Sequence, residues 1–205
     1  MTTKSHSILG GVITAALLAA VPVVYGQTPA GGFRNEPDKS MSSAHESFVK
    51  GDTDKAAADI DKAATWVKNQ GENVGEGSKA GVKKAGDELD KLGADVKKGS
   101  VKSGDEMKKT FAKVDHEMAV CWHKTAEDSK KAGKDSTDAL KKSGTALQNS
   151  AKWSGNQVSE GARAAMSAMR KAGKATGEGA KAGADEVDKW FKGIGDGIDD
   201  LGKKL

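Results

Sequence analysis

Apolar and small residues recur at alternating steps of three and four positions from about residue 79 to the C-terminus. This spacing predicts amphipathic α-helix, because residues three and four apart lie on one face. The resulting apolar stripe also repeats every 11 residues, at Leu147, Val158, Met169, Ala180 and Phe191. Eleven residues over three turns is about 3.67 residues per turn, so the stripe predicts a nearly straight course or a slight right-handed supercoil.

Glycine interrupts this pattern at regular intervals. Gly133, Gly144 and Gly155 are spaced in step with the repeat, and we expect Gly144 and Gly155 on the apolar stripe. Each glycine costs about 0.8–1 kcal/mol relative to alanine inside a helix, so an isolated helix of this composition is expected to be marginal in water. Breaks in the helices are predicted at three glycine clusters, 75–77, 177–183 and 193–197.

The N-terminal half predicts a short helical hairpin at residues 42–69, after a flexible leader at 27–41. Residues 50–52 form its turn, and Asp52 or Thr53 caps the second helix. That helix has one apolar face, formed by Ala56, Ile60, Ala63 and Val67. A linker follows at 70–78. The predicted fold is all-α: the hairpin, then long glycine-punctuated amphipathic helices over 79–205, either extended or folded back into a bundle.

The first 26 residues have the pattern of a signal peptide. Lys4 supplies a positive charge, an apolar segment follows at 8–26, and Val24 and Gly26 are small enough for signal peptidase. We therefore expect cleavage after Gly26 and export to the periplasm or the cell exterior. A retained anchor helix is the alternative, and Pro22 disfavours it.

Composition limits the classes of function. Aromatic residues make up 4% of the chain and charged residues 30%, with a formal net charge of +4. Acids and bases alternate along the helices, which is typical of a solvated surface and not of a nucleic-acid-binding patch. We expect no nucleic-acid partner.

The repeat resembles those of late embryogenesis abundant proteins of the group 3 type and of apolipoprotein-like lipid-surface proteins. The segment 168–190, AMRKAGKATGEGAKAGADEVDKW, is the most similar. The resemblance implies a helix that forms or consolidates on drying, on a lipid surface or on partner proteins, and protects them. Four tryptophans and one cysteine depart from that family pattern, which weakens the desiccation interpretation and leaves a stably packed bundle as an alternative.

The C-terminal segment predicts the most amphipathic helix of the mature chain. Its apolar face is formed by Val187, Trp190, Phe191, Ile194, Ile198, Leu201 and Leu205. Such a face suits an in-plane membrane helix. It equally suits packing on another helix of the same or a second chain, which the excess of acids over lysines in 185–205 favours.

Two histidines two helical turns apart form the one cluster with candidate site chemistry. His116 and His123 lie on one face, near Cys121, and His45 in the hairpin is a further candidate ligand. Together they predict a weak metal site if the helices fold back, although the spacing matches no standard zinc motif. The alternative is that these histidines are solvated. No cofactor is expected.

Cys121 is the single cysteine of the chain. In an exported protein it either stays a thiol or forms an intermolecular disulfide, which would give a covalent dimer.

No catalytic motif is present, and the aromatic residues are spread along the chain, with Trp153 off the stripe. We therefore expect a protein that is not an enzyme. The leading hypothesis is a structural or protective role, coating membrane or protein surfaces. The alternatives are a periplasmic bundle that binds a metal or small ligand through His45, His116 and His123, and an oligomeric envelope scaffold joined through the stripe or Cys121.

Overall fold

The computed structural model describes residues 35–175 and 183–205, and this part of the chain is all-α, as predicted. It contains seven α-helices and no strand: α1 (Asp38–Val49), α2 (Thr53–Asn69), α3 (Lys79–Lys97), α4 (Gly104–Lys131), α5 (Thr137–Ser154), α6 (Glu160–Ala175) and α7 (Ala184–Gly202). Two short 3₁₀ helices, Gln70–Glu72 and Glu76–Ser78, connect α2 to α3. The predicted signal peptide lies outside the described residues.

The N-terminal hairpin forms where the sequence predicts it. The Lys55 backbone N–H donates to Asp52 Oδ1 at 3.1 Å, so Asp52 caps α2. The apolar face of α2, from Ala56 to Val67, is fully buried. Helix α1 begins at Asp38, within the predicted leader, and this earlier start places an acidic residue in the protein interior.

Glycines in the left-handed conformation divide the repeat region into separate helices. Gly99, Gly133 and Gly155 have φ of +65°, +69° and +70° and follow α3, α4 and α5. Residues with a Cβ avoid this conformation, so these glycines end their helices. The expectation that Gly155 lies on the apolar stripe is therefore wrong, since it is an exposed helix terminator.

The helices fold back into a bundle around one continuous core to which all seven contribute. Helix α4 is central and packs against α1, α3, α5 and α7. The hairpin shares this core with the repeat region, so the predicted linker does not separate two cores. Of the 11-residue positions, Ala180 lies outside the described residues and the other four contact the core. No helix within the two described ranges is long and apolar enough to cross a bilayer.

Glycine permits the close packing of α6 on α7. A Cβ added at Gly193 would lie 2.8 Å from the Gly161 carbonyl oxygen and 2.9 Å from Ala165 Cβ. A Cβ added at Gly197 would lie 2.6 Å from Ala162 Cβ. The predicted break at 193–197 is therefore wrong: these residues continue α7, and their missing side chains make room for the neighbouring helix.

Alanine at Gly193 is expected to destabilise the fold, because the added Cβ would meet the backbone of α6, which cannot rotate away. We expect the free energy of unfolding to fall by about 1–3 kcal/mol, as for other overpacked sites. Urea unfolding followed by circular dichroism measures the change.

The matched control is G161A on the facing helix, where an added Cβ has no atom within 4 Å. This variant should not lose stability. Equal stability of G193A and the wild type would contradict the close approach of α6 and α7.

Candidate functional site

A cavity of about 510 Å³ opens between the start of α1, the end of α2, and helices α4 and α5. Asp38 and Asp115 are among the most deeply buried of its lining residues and form its floor. Trp66 and Trp122 line its walls. We call this site the carboxyl cavity.

Asp38 connects three helices through its carboxyl group. It is the first residue of α1. The Trp153 Nε1–H of α5 donates to Asp38 Oδ1 at 3.0 Å, and Asn149 Nδ2 donates to Asp38 Oδ2 at 2.7 Å. Asp115 of α4 is hydrogen-bonded to the same carboxyl group. These donors, together with the positive end of the α1 dipole, favour negative charge on Asp38.

Asp115 holds its proton more tightly than Asp38 does. Its side chain is 2% exposed. Burial first, then the charge of Asp38 and the hydrogen bond to it, raise the pKa of Asp115 well above 3.8. Burial also raises the pKa of Asp38, and its hydrogen bonds oppose that rise. Of the two groups, Asp115 therefore holds its proton to the higher pH, and the hydrogen bond between the two carboxyl groups shares this proton.

One carboxyl oxygen at this cavity, Glu36 Oε2, is buried without a hydrogen-bond partner among the described residues. Asp115 Oδ2 is also buried, and Asp38 is the hydrogen-bond partner of the Asp115 side chain. Buried polar atoms in folded proteins nearly always have partners. Glu36 Oε2 accepts hydrogen bonds, so a molecule in the cavity that offers a donor would satisfy it.

The walls are apolar and aromatic, and the rim is basic. Met118 and Trp122 of α4 are buried at the cavity. The exposed lysines of the rim all come from α5: Lys141, Lys142 and Lys152. Lys142 Nζ lies 4.5 Å from the centroid of the Trp122 ring and 2.9 Å from Asp138 Oδ2. The cavity is thus acidic at its floor and basic at its mouth.

The structure does not bring the three predicted histidine ligands together. His116 Nε2 lies 2.9 Å from the Ile198 carbonyl oxygen and His123 Nε2 lies 3.1 Å from that of Phe191, so both attach α7 to α4. His45 packs near Trp153 instead, 1% exposed, and burial lowers its pKa. No three His, Cys, Asp or Glu side chains of the described ranges are arranged to hold a metal ion. The metal-site prediction through these histidines and Cys121 is not supported.

Cys121 is buried in the bundle, which opposes the predicted intermolecular disulfide. It is 3% exposed, and its Sγ lies 3.5 Å from the Ser78 carbonyl oxygen. Burial raises the pKa of the Cys121 thiol to about 11, so the reactive thiolate is scarce at neutral pH.

The C-terminal apolar face packs inside the same chain. Its members from Trp190 to Leu201 are buried in the core, Val187 is partly buried, and Leu205 is 37% exposed. The face is therefore occupied by other helices, as the helix-packing alternative predicts. It is not available to a membrane or a second chain in the folded protein.

Sequence reasoning missed the carboxyl pair, although one signal for it exists. Asp115 lies four residues after Phe111 and three before Met118, and both belong to the apolar stripe of α4. An acidic residue at such a position is buried and must have a partner. The partner, Asp38, lies in a segment that was predicted to be flexible. Trp153, predicted off the stripe, is buried because its indole N–H bonds to Asp38.

Comparison with models of known protein families, with curated proteins and with solved structures finds no match to this chain.

Asparagine at Asp115 is expected to change how stability depends on pH. Because the folded-state pKa of Asp115 is raised, the wild type is stabilised by its protonated form at about pH 4 and loses that stabilisation as the pH rises toward the folded-state value. Asparagine is neutral throughout. The stability of D115N relative to the wild type should therefore increase between about pH 4.5 and pH 8, measured by urea unfolding.

The control is D59N. Burial raises the pKa of Asp59, but hydrogen bonds from Lys55, Lys62 and Ser43 outweigh it and lower that pKa to about 2. Asp59 is therefore ionised across the same range, and the difference between D59N and the wild type should not vary with pH. A constant difference for D115N would contradict the shared proton.

Cys121 is expected to resist thiol reagents in the folded protein. With the pKa raised from 9.0 to about 11, the thiolate fraction at pH 8 is about a hundredfold lower than that of an ordinary thiol, and burial slows access further. Reaction with an aromatic disulfide reagent should be at least about a hundredfold slower in buffer than in urea. Equal rates in the two solvents would show that Cys121 is accessible.

Proposed function

We propose that this chain is a non-enzymatic helical bundle that binds a small organic ligand in the carboxyl cavity. The observation that carries the proposal is a cavity of about 510 Å³ lined by a buried carboxyl pair, by two tryptophans and by Glu36, whose buried Oε2 has no hydrogen-bond partner among the described residues. Small-molecule sites are typically clefts of about 300–1,000 Å³ with apolar walls and a few convergent polar groups. In the carboxyl cavity the two tryptophans provide the apolar walls, and the carboxyl pair provides the polar groups.

The free-energy cost of a buried, unpartnered polar atom in the cavity supports the proposal that a ligand binds there. A buried acceptor left without a hydrogen bond costs about 1–3 kcal/mol, and Glu36 Oε2 at this cavity is such an acceptor. A ligand with hydrogen-bond donors recovers that free energy on binding. Polar groups that are already oriented before a ligand arrives lower the entropy cost of its binding, which supports the proposal.

Binding fits the lining better than catalysis does. The described residues that line the cavity include no histidine, cysteine or serine. Its one hydroxyl group belongs to Thr145, which is exposed on α5. A Ser–His or Cys–His pair of nucleophile and base is therefore missing from the lining as described. The carboxyl pair acts in this proposal as an acceptor of hydrogen bonds and a holder of charge.

The surface-coating hypothesis has less support. A coating helix needs an apolar face that is free to meet a lipid or a client protein. In the described residues those faces form the core of the bundle. Export remains part of the proposal, based on the signal-like pattern of residues 1–26, with the ligand then met in the periplasm or outside the cell.

Phenol tests the site, because it combines a flat apolar ring with one O–H donor and carries no charge. Added up to about 10 mM, a usual range for weak fragments, it should shift the indole N–H signals of Trp66 and Trp122 in NMR spectra in a saturable way. The signal of Trp190, which lies in α7 outside the cavity, should not move.

Phenylalanine at Ala146 provides the matching variant. Ala146 lines the cavity, so the larger ring should fill it and abolish the phenol-dependent shifts. A184F, at an exposed position of α7, should bind phenol as the wild type does. Circular dichroism confirms that both variants are folded. An absence of saturable shifts at Trp66 and Trp122, or their persistence in A146F, would contradict a ligand site here.

A further inference from the structure

The carboxyl cavity has opposite charges at its two ends. Its floor holds the carboxyl groups of Glu36, Asp38 and Asp115, with no cationic side chain among the described floor residues. Its mouth holds the ammonium groups of lysines from α5. This separation of negative and positive groups favours ligands of matching charge and fixes their orientation in the cavity.

The floor favours an ammonium group. Once Asp38 ionises, the Asp38–Asp115 pair holds a negative charge in a water-poor setting, where attraction to a cation is stronger than in bulk solvent. An ammonium group also has three N–H donors, enough for the unpartnered Glu36 Oε2 and for the carboxyl pair. A carboxylate placed there would be repelled by the pair and would offer no donor.

The mouth favours an anion. Lys141 and Lys142 are adjacent in sequence, and Lys152 lies further along the same helix. Lys142 is held in place by the face of Trp122 and by Asp138. A ligand that was only a cation would meet these positive charges at the entrance without compensation.

The walls favour a flat body between the two ends. Trp66 comes from α2 and Trp122 from α4, and both line the cavity. Aromatic side chains bind planar apolar groups by stacking and edge contacts.

From these three features we propose that the carboxyl cavity binds a zwitterionic amino-carboxylic acid with a flat body, its ammonium group on the acidic floor and its carboxylate at the lysines of α5. This inference rests on the proposed function, since it names the ligand class of the same cavity.

Four small probes separate the contributions of the two ends. The probes are 4-(aminomethyl)benzoate, which has both charges, and its parts benzylamine, benzoate and the neutral benzyl alcohol. Calorimetric titration of the full mature chain should give the tightest binding for 4-(aminomethyl)benzoate. Benzoate and benzyl alcohol should bind at least about tenfold more weakly, because they lack the charge-assisted bonds to buried acceptors. Benzylamine should bind about threefold more weakly, since ion pairs to exposed lysines contribute less.

Charge-removing variants locate each end. E36Q should weaken 4-(aminomethyl)benzoate and benzylamine and leave benzoate unchanged. Replacing Lys141 and Lys142 together by glutamine should reduce the affinity for 4-(aminomethyl)benzoate to that for benzylamine. The control is K171Q on the exposed surface of α6, away from the cavity, which should leave all four affinities unchanged.

The outcomes distinguish this inference from the proposed function. Binding of benzoate or benzyl alcohol as tight as that of 4-(aminomethyl)benzoate, and lost in A146F, would keep the ligand site and overturn its charge selectivity. Binding of benzylamine equal to that of 4-(aminomethyl)benzoate would overturn the part assigned to the lysines. Absence of binding by all four probes would overturn both proposals.

Discussion

Close contact between helix backbones is the condition on which this bundle depends. With 4% aromatic residues, the chain has few large side chains with which to fill a core. The helices instead approach each other closely where their facing side chains are short. Ser143 Oγ donates to the Ala119 carbonyl oxygen at 2.8 Å and Ser150 Oγ to that of Ala112 at 2.7 Å, so α5 lies directly on the backbone of α4. At native packing density, nearby backbone replaces missing side-chain volume.

The carboxyl cavity lies where this close contact is not continued. Between α2, α4 and α5 the lining includes the small Ala146, and the space is left to polar groups. Asp38 of α1 is hydrogen-bonded to Asn149 and Trp153 of α5 and to Asp115 of α4, so it connects three helices. A buried polar network of this kind specifies one arrangement of helices, because every shift leaves charged or polar groups unpartnered. The fold and the candidate site thus depend on the same side chain.

The periodicity of apolar residues predicts features that depend on neighbouring residues, and it does not predict contacts between residues far apart in the sequence. The hairpin turn and the apolar face of α2 were identified because both follow from spacing within a few residues. Asp38 was assigned to a flexible leader, since its bonding partner Trp153 is 115 residues away in sequence. The apolar face of α7 was also identified, but an amphipathic pattern is the same whether the face meets lipid or protein. The three-dimensional structure is needed to identify what the apolar face of α7 packs against.

The histidines illustrate the same limit. Their common face on α4 was predicted from their spacing, and their predicted ligand was a metal ion. The observed partners are carbonyl oxygens of the α7 backbone, which every residue possesses and which therefore leave no trace in the sequence.

The two histidine contacts also fix how α7 lies along α4. His116 and His123 are one heptad apart, and so are the residues whose carbonyl oxygens they contact, Ile198 and Phe191, in reverse order. The two helices run antiparallel, and the two contacts are separated by seven residues on each helix. A shift of α7 along α4 by a single residue would break both hydrogen bonds together, so the two contacts define one register of α7 on α4. Because the acceptors are backbone atoms, these two hydrogen bonds do not depend on the identity of the side chains at 191 and 198, which pack separately in the core.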